Sequence, residues 1–103
     1  MPKLTLQVRT RDDLLELLAQ NQTGYWIVSR SRIEQITHVE VVNFEGTQMI
    51  EAVFDRKASC YLDPPNDNRL LVKFLGGRIV NCNIKFKGEN PVRYLEDDPP
   101  DFC

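Results

Sequence analysis

The chain has 103 residues, of which 42% are hydrophobic and 27% charged, with a formal net charge of −2. That balance fits one domain able to bury its own core without disulfides or metals. It argues against a disordered polymer and against a strongly basic nucleic-acid coat. No run approaches the roughly 18 apolar residues that a membrane helix needs, so no membrane partner is expected. Three cysteines, Cys60, Cys82 and Cys103, form no metal-like or CxxC spacing. An odd cysteine count behind an N-terminus without an apolar export signal predicts a reducing, cytoplasmic setting. Cys60 and Cys82 sit among apolar neighbours and are expected to be small core hydrophobes.

Leu4, Leu6 and Val8 alternate with Thr5 and Gln7, the pattern of a half-buried strand. Thr10 as N-cap and acids in the first turn predict a helix over 11–20, with Leu14, Leu17 and Leu18 on its apolar face. It should fail in 21–24. Residues 25–29 are aromatic and β-branched and read as a strand, Trp26 and Val28 on one face, Tyr25 and Ile27 on the other. Both faces are apolar, which predicts a place near the middle of the fold. Ser31, Arg32, Ile33 and Glu34 form a capping box, so one or two helical turns should follow.

Residues 38–44 and 48–54 read as a hairpin around Glu45, Gly46 and Thr47, with Ile50, Ala52 and Phe54 facing the core. A weaker strand over 58–62 and a Pro-rich loop over 63–68 come next. Residues 70–75 and 78–86 read as two strands joined by a tight turn at Gly76 and Gly77. In the second, Val80, Cys82, Ile84 and Phe86 alternate with Asn81, Asn83, Lys85 and Lys87. A last short strand is predicted over 92–95. The sum is one α+β domain over 1–95: a curled, mainly antiparallel sheet or small barrel of six to eight strands, with one main and one short helix. Residues 96–103 then form an acidic, flexible tail. Residues 96–101 hold four acids and no base. Set aside from the 15 acids, they leave 11 against 13 bases, so the body is mildly basic.

Catalytic sets are not evident. The sole histidine, His38, starts a strand beside Glu40, and a lone histidine there reads as a surface residue unless a serine or cysteine converges on it. No metal spacing or phosphate-cradling motif is present, so no cofactor and no enzyme activity are expected. Nucleic-acid binding has more support. Arg30 and Arg32 flank the helix start at Ser31, and Tyr25 or Trp26 could stack on a base. Lys85 and Lys87 on a wet strand face would add a basic strip. The plain alternative is that these aromatics anchor the core and these bases keep the surface solvated.

The order helix, YWIVS, RIEQI, THVEVVN, MIEAVFD and then IKFKGENPVRYL resembles a small PUA-like barrel of the EVE or ASCH kind. That resemblance covers roughly 24–95 and implies RNA or modified DNA bases as ligands, with Trp26, and Tyr25 beside it, as pocket aromatics. The leading expectation is therefore a non-enzymatic binding module for RNA, DNA or a nucleotide-like ligand. Its site would be Tyr25, Trp26, Arg30, Arg32, Lys85 and Lys87. The alternative is a small protein–protein interaction or inhibitor protein, as a homodimer or with a protein partner, using an exposed strand edge and the tail.

Overall fold

A computed structural model describes residues 3–62, 68–86, 88 and 90–97. The elements run β1 (Lys3–Thr10), α1 (Leu14–Gln20), β2 (Gln22–Ile27), a 3-10 turn (Ile33–Gln35), β3 (Ile36–Asn43), β4 (Gln48–Phe54), β5 (Cys60–Tyr61), β6 (Arg69–Asn81) and β7 (Val92–Asp97). They form a strongly curled sheet in the order β2-β6-β4-β3-β1-β7, with β5 also on β6. The sheet is mixed: β1 and β3 are parallel, and the other pairs are antiparallel. The fold is the α+β half-barrel expected from the strand pattern.

Alternation explains the core. Leu4, Leu6 and Val8 of β1 point inward with Val39 and Val41 of β3, Ile50, Ala52 and Phe54 of β4, and Leu70, Val72 and Phe74 of β6. Each such side chain larger than that of Ala52 contributes about 1.5–3 kcal/mol by leaving water. Helix α1 lays Leu14 and Leu17 on this core and leaves Leu15 67% exposed. It starts at Leu14 and not at Arg11, because β1 continues through Thr10, which pairs with Asn43. Asp13 is the N-cap, its carboxylate accepting from the Leu15 amide at 3.2 Å, while Thr10 accepts from Asp12. Asn21, with φ 55°, ends the helix.

Other expectations need correction as well. Among the described residues strand β2 lies at a sheet edge, paired with β6 alone, so Tyr25 and Ile27 face outward at 46% and 55% exposure instead of a second core layer. The capping box does not form: the N-cap of the 3-10 turn is Arg32, with no side-chain hydrogen bond. Ser31 pairs with Ser29, and Glu34 is drawn away into an ion pair with Arg56 at 2.9 Å. Gly76 and Gly77 are not a hairpin turn. They lie inside one 13-residue strand, β6. Its register with β4 passes from Glu51↔Arg78 to Val53↔Leu75, which inserts one extra residue on β6 and makes a bulge. Gly76 supplies the positive φ of 64° there. Gly77 lets α1 approach, since a Cβ at that position would meet Leu18 Cδ1 at 2.9 Å.

Strand β6 stops at Asn81, short of the predicted 86. Residues 82–86 continue as an irregular strap across the outer face of the sheet, held by Cys82 N–H on Thr47 O and Ile84 N–H on Gly46 O, both at 2.9 Å. The predicted alternation persists in the strap: Cys82, Ile84 and Phe86 are half-buried, and Asn83 and Lys85 are exposed. Cys60 is exposed, contrary to a core role, because β5 is only two residues long and its alternate side chain, Tyr61, takes the inward place. Strand β7 reaches Asp97, so Glu96 and Asp97 pair with β1. The rest of the acidic segment, the loop over 63–67, and Cys103 lie outside the described residues.

The curl brings the exit of β2 against β7. The Ser29 amide donates to the Tyr94 hydroxyl at 2.9 Å, and the Tyr61 hydroxyl donates to Val28 O at 2.8 Å. Burial pushes the Tyr61 phenol above its ordinary pKa of 10.0, against the opposing pull of Arg30. A raised folded pKa means that this contribution is present below pH 10 and is lost as pH rises through the folded value. Tyr61→Phe is expected to cost about 1 kcal/mol near neutrality and to flatten the alkaline fall in Tm. Thermal melts from about pH 7 to about pH 11 check this; an equal alkaline loss in both proteins would clear Tyr61 of the effect.

Candidate nucleic-acid interface

Four segments meet at one end of the outer face: the end of β1, the turn between β3 and β4, the strap, and the start of β7. Each brings an arginine or a phenylalanine. Arg9 stands with its Cζ 3.8 Å from the centroid of the Phe44 ring and 4.6 Å from that of Phe86. Arg11 covers Phe44 at 3.9 Å, and Arg93 lies over Phe86 at 5.4 Å. The five side chains form a ladder, Arg11–Phe44–Arg9–Phe86–Arg93, in which guanidinium groups alternate with rings. The quadrupole of each ring favours the cations beside it. Arg9 is further fixed by donating Nε and Nη2 to Phe44 O at 3.0 and 2.8 Å.

No carboxylate forms an ion pair with Arg9, Arg11 or Arg93 among the described residues, where the ion pairs are Arg56–Glu34 and Arg78–Glu51. The ladder therefore concentrates positive charge on a packed aromatic base. Next to it a shallow cleft of about 260 Å³ is lined by Thr10, Arg11, Asp12, Asn43, Phe44 and Glu45. Two carboxylates, Asp12 and Glu45, stand at that rim, and Lys85 on the strap is exposed.

The residues singled out from sequence fall in different places. Trp26 is half-buried against the core and donates Nε1–H to Thr23 Oγ1 at 3.1 Å. Tyr25 beside it is exposed on the edge strand. Arg30 covers the Tyr61 ring at 3.8 Å and donates to Asn68 Oδ1 at 3.0 Å, and Arg32 covers Tyr94 at 4.8 Å. Both arginines thus brace the turn after β2 through aromatic rings. Lys85 adjoins the ladder; Lys87 lies outside the described residues. The members that sequence reasoning did not reveal are Arg9, Arg11, Phe44, Phe86 and Arg93. The one local signal was Arg9 and Arg11 two apart at a strand end.

His38 and Glu40 line a groove further along the outer face with Thr5, Glu51, Val53 and Arg78, and its lining holds neither serine nor cysteine. Cys82 begins the strap and donates its thiol to Gly46 O at 3.3 Å. Burial, with the charge of Glu40 added, pushes its pKa above 9.0, which keeps it a thiol and not a nucleophilic thiolate. Among the described residues no three His, Cys, Asp or Glu side chains are grouped to hold a metal ion, and no helix is long and apolar enough to cross a membrane. No protein-family model matches the chain, and no curated protein or solved structure matches it either.

Proposed function

We propose that the protein is a non-enzymatic binding module for nucleic acid or a nucleotide-like ligand, with the arginine–phenylalanine ladder and Lys85 as its contact surface. The observation that carries this reading is the ladder itself: three guanidinium groups without carboxylate partners, held in place by two rings. Guanidinium edges suit phosphate oxygens, and the outer face of the exposed Arg11 suits a stacked base. The faces of Phe44 are already occupied by Arg9 and Arg11, so the contacts are made to phosphate and by guanidinium stacking, not by insertion between rings. Such binding is tolerant of sequence and steep in salt. A reducing, cytoplasmic setting accords with the free thiol of exposed Cys60.

Fluorescence anisotropy with labelled single- and double-stranded oligonucleotides tests this. Arg11→Ala with Lys85→Ala is expected to weaken binding about tenfold or more at low salt and to lower the magnitude of the log–log salt slope by roughly 1–2. Both side chains are exposed and make no hydrogen bond among the described residues, so the fold should be unaffected. Arg30→Ala with Arg32→Ala is the parallel arm. Loss in that arm alone would move the site to the turn after β2. Absence of salt-sensitive binding by the wild-type protein would end the reading.

One observation favours protein association as a second reading. The edge strand β2 presents Tyr25 and Ile27 to solvent beside a backbone edge that no strand among the described residues pairs. Light scattering over a concentration series would reveal a dimer, and Ile27→Lys should then abolish it.

A further inference from the structure

Two buried side-chain atoms have no hydrogen-bond partner among the described residues: Gln7 Oε1, an acceptor, and Arg93 Nε, a donor. They belong to residues directly opposite each other on β1 and β7. Side chains so placed share one face of the sheet, with Cβ atoms about 4.5–5.5 Å apart. Buried polar groups are nearly always paired, because an unmade bond leaves the full cost of desolvation. Here one orphan is the complement of the other, and the register sets them side by side.

Glu40 sets which way the Gln7 amide faces. On the other side of β1, Gln7 pairs in register with Glu40 of β3, and its Nε2 donates to Glu40 Oε1 at 3.0 Å. Turning the amide over would oppose two acceptors at Glu40 and two donors at Arg93. Both neighbours thus demand the same orientation. Gln7 is only 3% exposed although it alternates with the inward Leu6 and Val8, so bulk water hardly competes for its oxygen. Arg93 needs a seat more than Arg9 does. Arg9 is fixed by two hydrogen bonds to Phe44 O and by close contact with two rings. The Arg93 side chain makes no hydrogen bond among the described residues, and its contact with Phe86, at 5.4 Å, is the longest in the ladder. That distance is near the outer limit of a ring's hold on a cation.

We propose that Gln7 is the positioning residue for Arg93: its carbonyl oxygen receives Arg93 Nε–H, directly or through one water, and Glu40 keeps that oxygen turned toward it. With Nε held inward, the planar fork turns its Nη edge outward, where it suits a phosphate. This role rests on the reading of the ladder as a contact surface; the seat itself belongs to the protein without ligand. A polar chain then runs Glu40–Gln7–Arg93 from the groove to the ladder. A change at Glu40 is felt at a guanidinium with which it forms no ion pair.

Solvent exchange of the arginine Nε–H signals, read by NMR on the whole isotope-labelled protein, tests this. Arg93 Nε–H should exchange about tenfold or more slowly than that of the exposed Arg11. Gln7→Leu should erase the difference and leave Arg9 slow, since Phe44 O holds Arg9. Gln7→Glu with Glu40→Gln swaps acceptor and donor between β1 and β3, and should restore slow exchange at Arg93. In anisotropy, Gln7→Leu should weaken oligonucleotide binding several-fold and lower the magnitude of the salt slope by up to about 1. Fast exchange at Arg93 in the wild-type protein, unchanged exchange in Gln7→Leu, joint loss at Arg9 and Arg93, or no recovery in the double variant would each overturn the proposal. So would wild-type oligonucleotide affinity in Gln7→Leu. If the wild-type protein binds no oligonucleotide, the function proposed for the ladder falls, and the exchange measurements still decide the seat.

Discussion

Gly46→Ala is expected to destabilise the protein by about 2–4 kcal/mol. Gly46 has φ 77°, where any other residue carries about 1–2 kcal/mol of strain. A Cβ there would also run into the Ile84 carbonyl. The same glycine accepts from Ile84 N–H and from the Cys82 thiol, so relief of the collision breaks the strap's own attachments. Urea denaturation should show the lower midpoint. Hydrogen exchange should show lost protection at the Ile84 amide before the sheet amides are affected. Phe86 rides on the strap, so oligonucleotide affinity should fall in the same variant. A wild-type midpoint with wild-type protection at Ile84 would mean that the strap does not depend on this turn.

Phe74→Ala should cost about 3–5 kcal/mol, the range for emptying an aromatic core site. Phe74 is 1% exposed and heads the fully buried side chains in volume. It sits where several elements converge: paired with Phe54 of β4, donating its amide to Asn21 O at the end of α1, and close to the space over Gly77. The neighbouring Leu75 points outward at 54% exposure, and Leu75→Ala should stay within about 0.5 kcal/mol of wild type. Chemical denaturation of the two variants measures the contrast. Equal costs would contradict the assignment of inner and outer faces along β6.

The hairpin of β3 and β4 was legible because everything that sets it is local: alternation on both sides and a Gly-containing connection at 45–47. The inward facing of Ile50, Ala52 and Phe54 followed from the same pattern and stands. Gly76 and Gly77 illustrate the limit. Two glycines between apolar runs suit a tight turn and a bulge equally well, and the decision rests with β4, which pairs continuously across both halves of β6. Ser31 and Glu34 have the right spacing for a capping box, but Arg56, 22 residues away, outcompetes the backbone for Glu34. The ladder was illegible for a related reason. Arg9, Phe44, Phe86 and Arg93 are brought together by a parallel pairing, a strap and a returning strand, none of which leaves a mark in local spacing. What spacing did expose was the turn after β2, where Arg30 and Arg32 meet the rings of Tyr61 and Tyr94.

Strand β1 lies inside the sheet, with β3 parallel on one side and β7 antiparallel on the other. The earliest strand in the chain thus waits for its second neighbour until the latest one arrives, and Lys3 comes to lie opposite Asp97. Closing contacts between such distant positions carries a large entropic barrier, so folding should be slow for a domain of this size. During synthesis β1 would hold one edge of hydrogen-bonding groups open until β7 emerges, a window in which a passing strand from another chain could take that place.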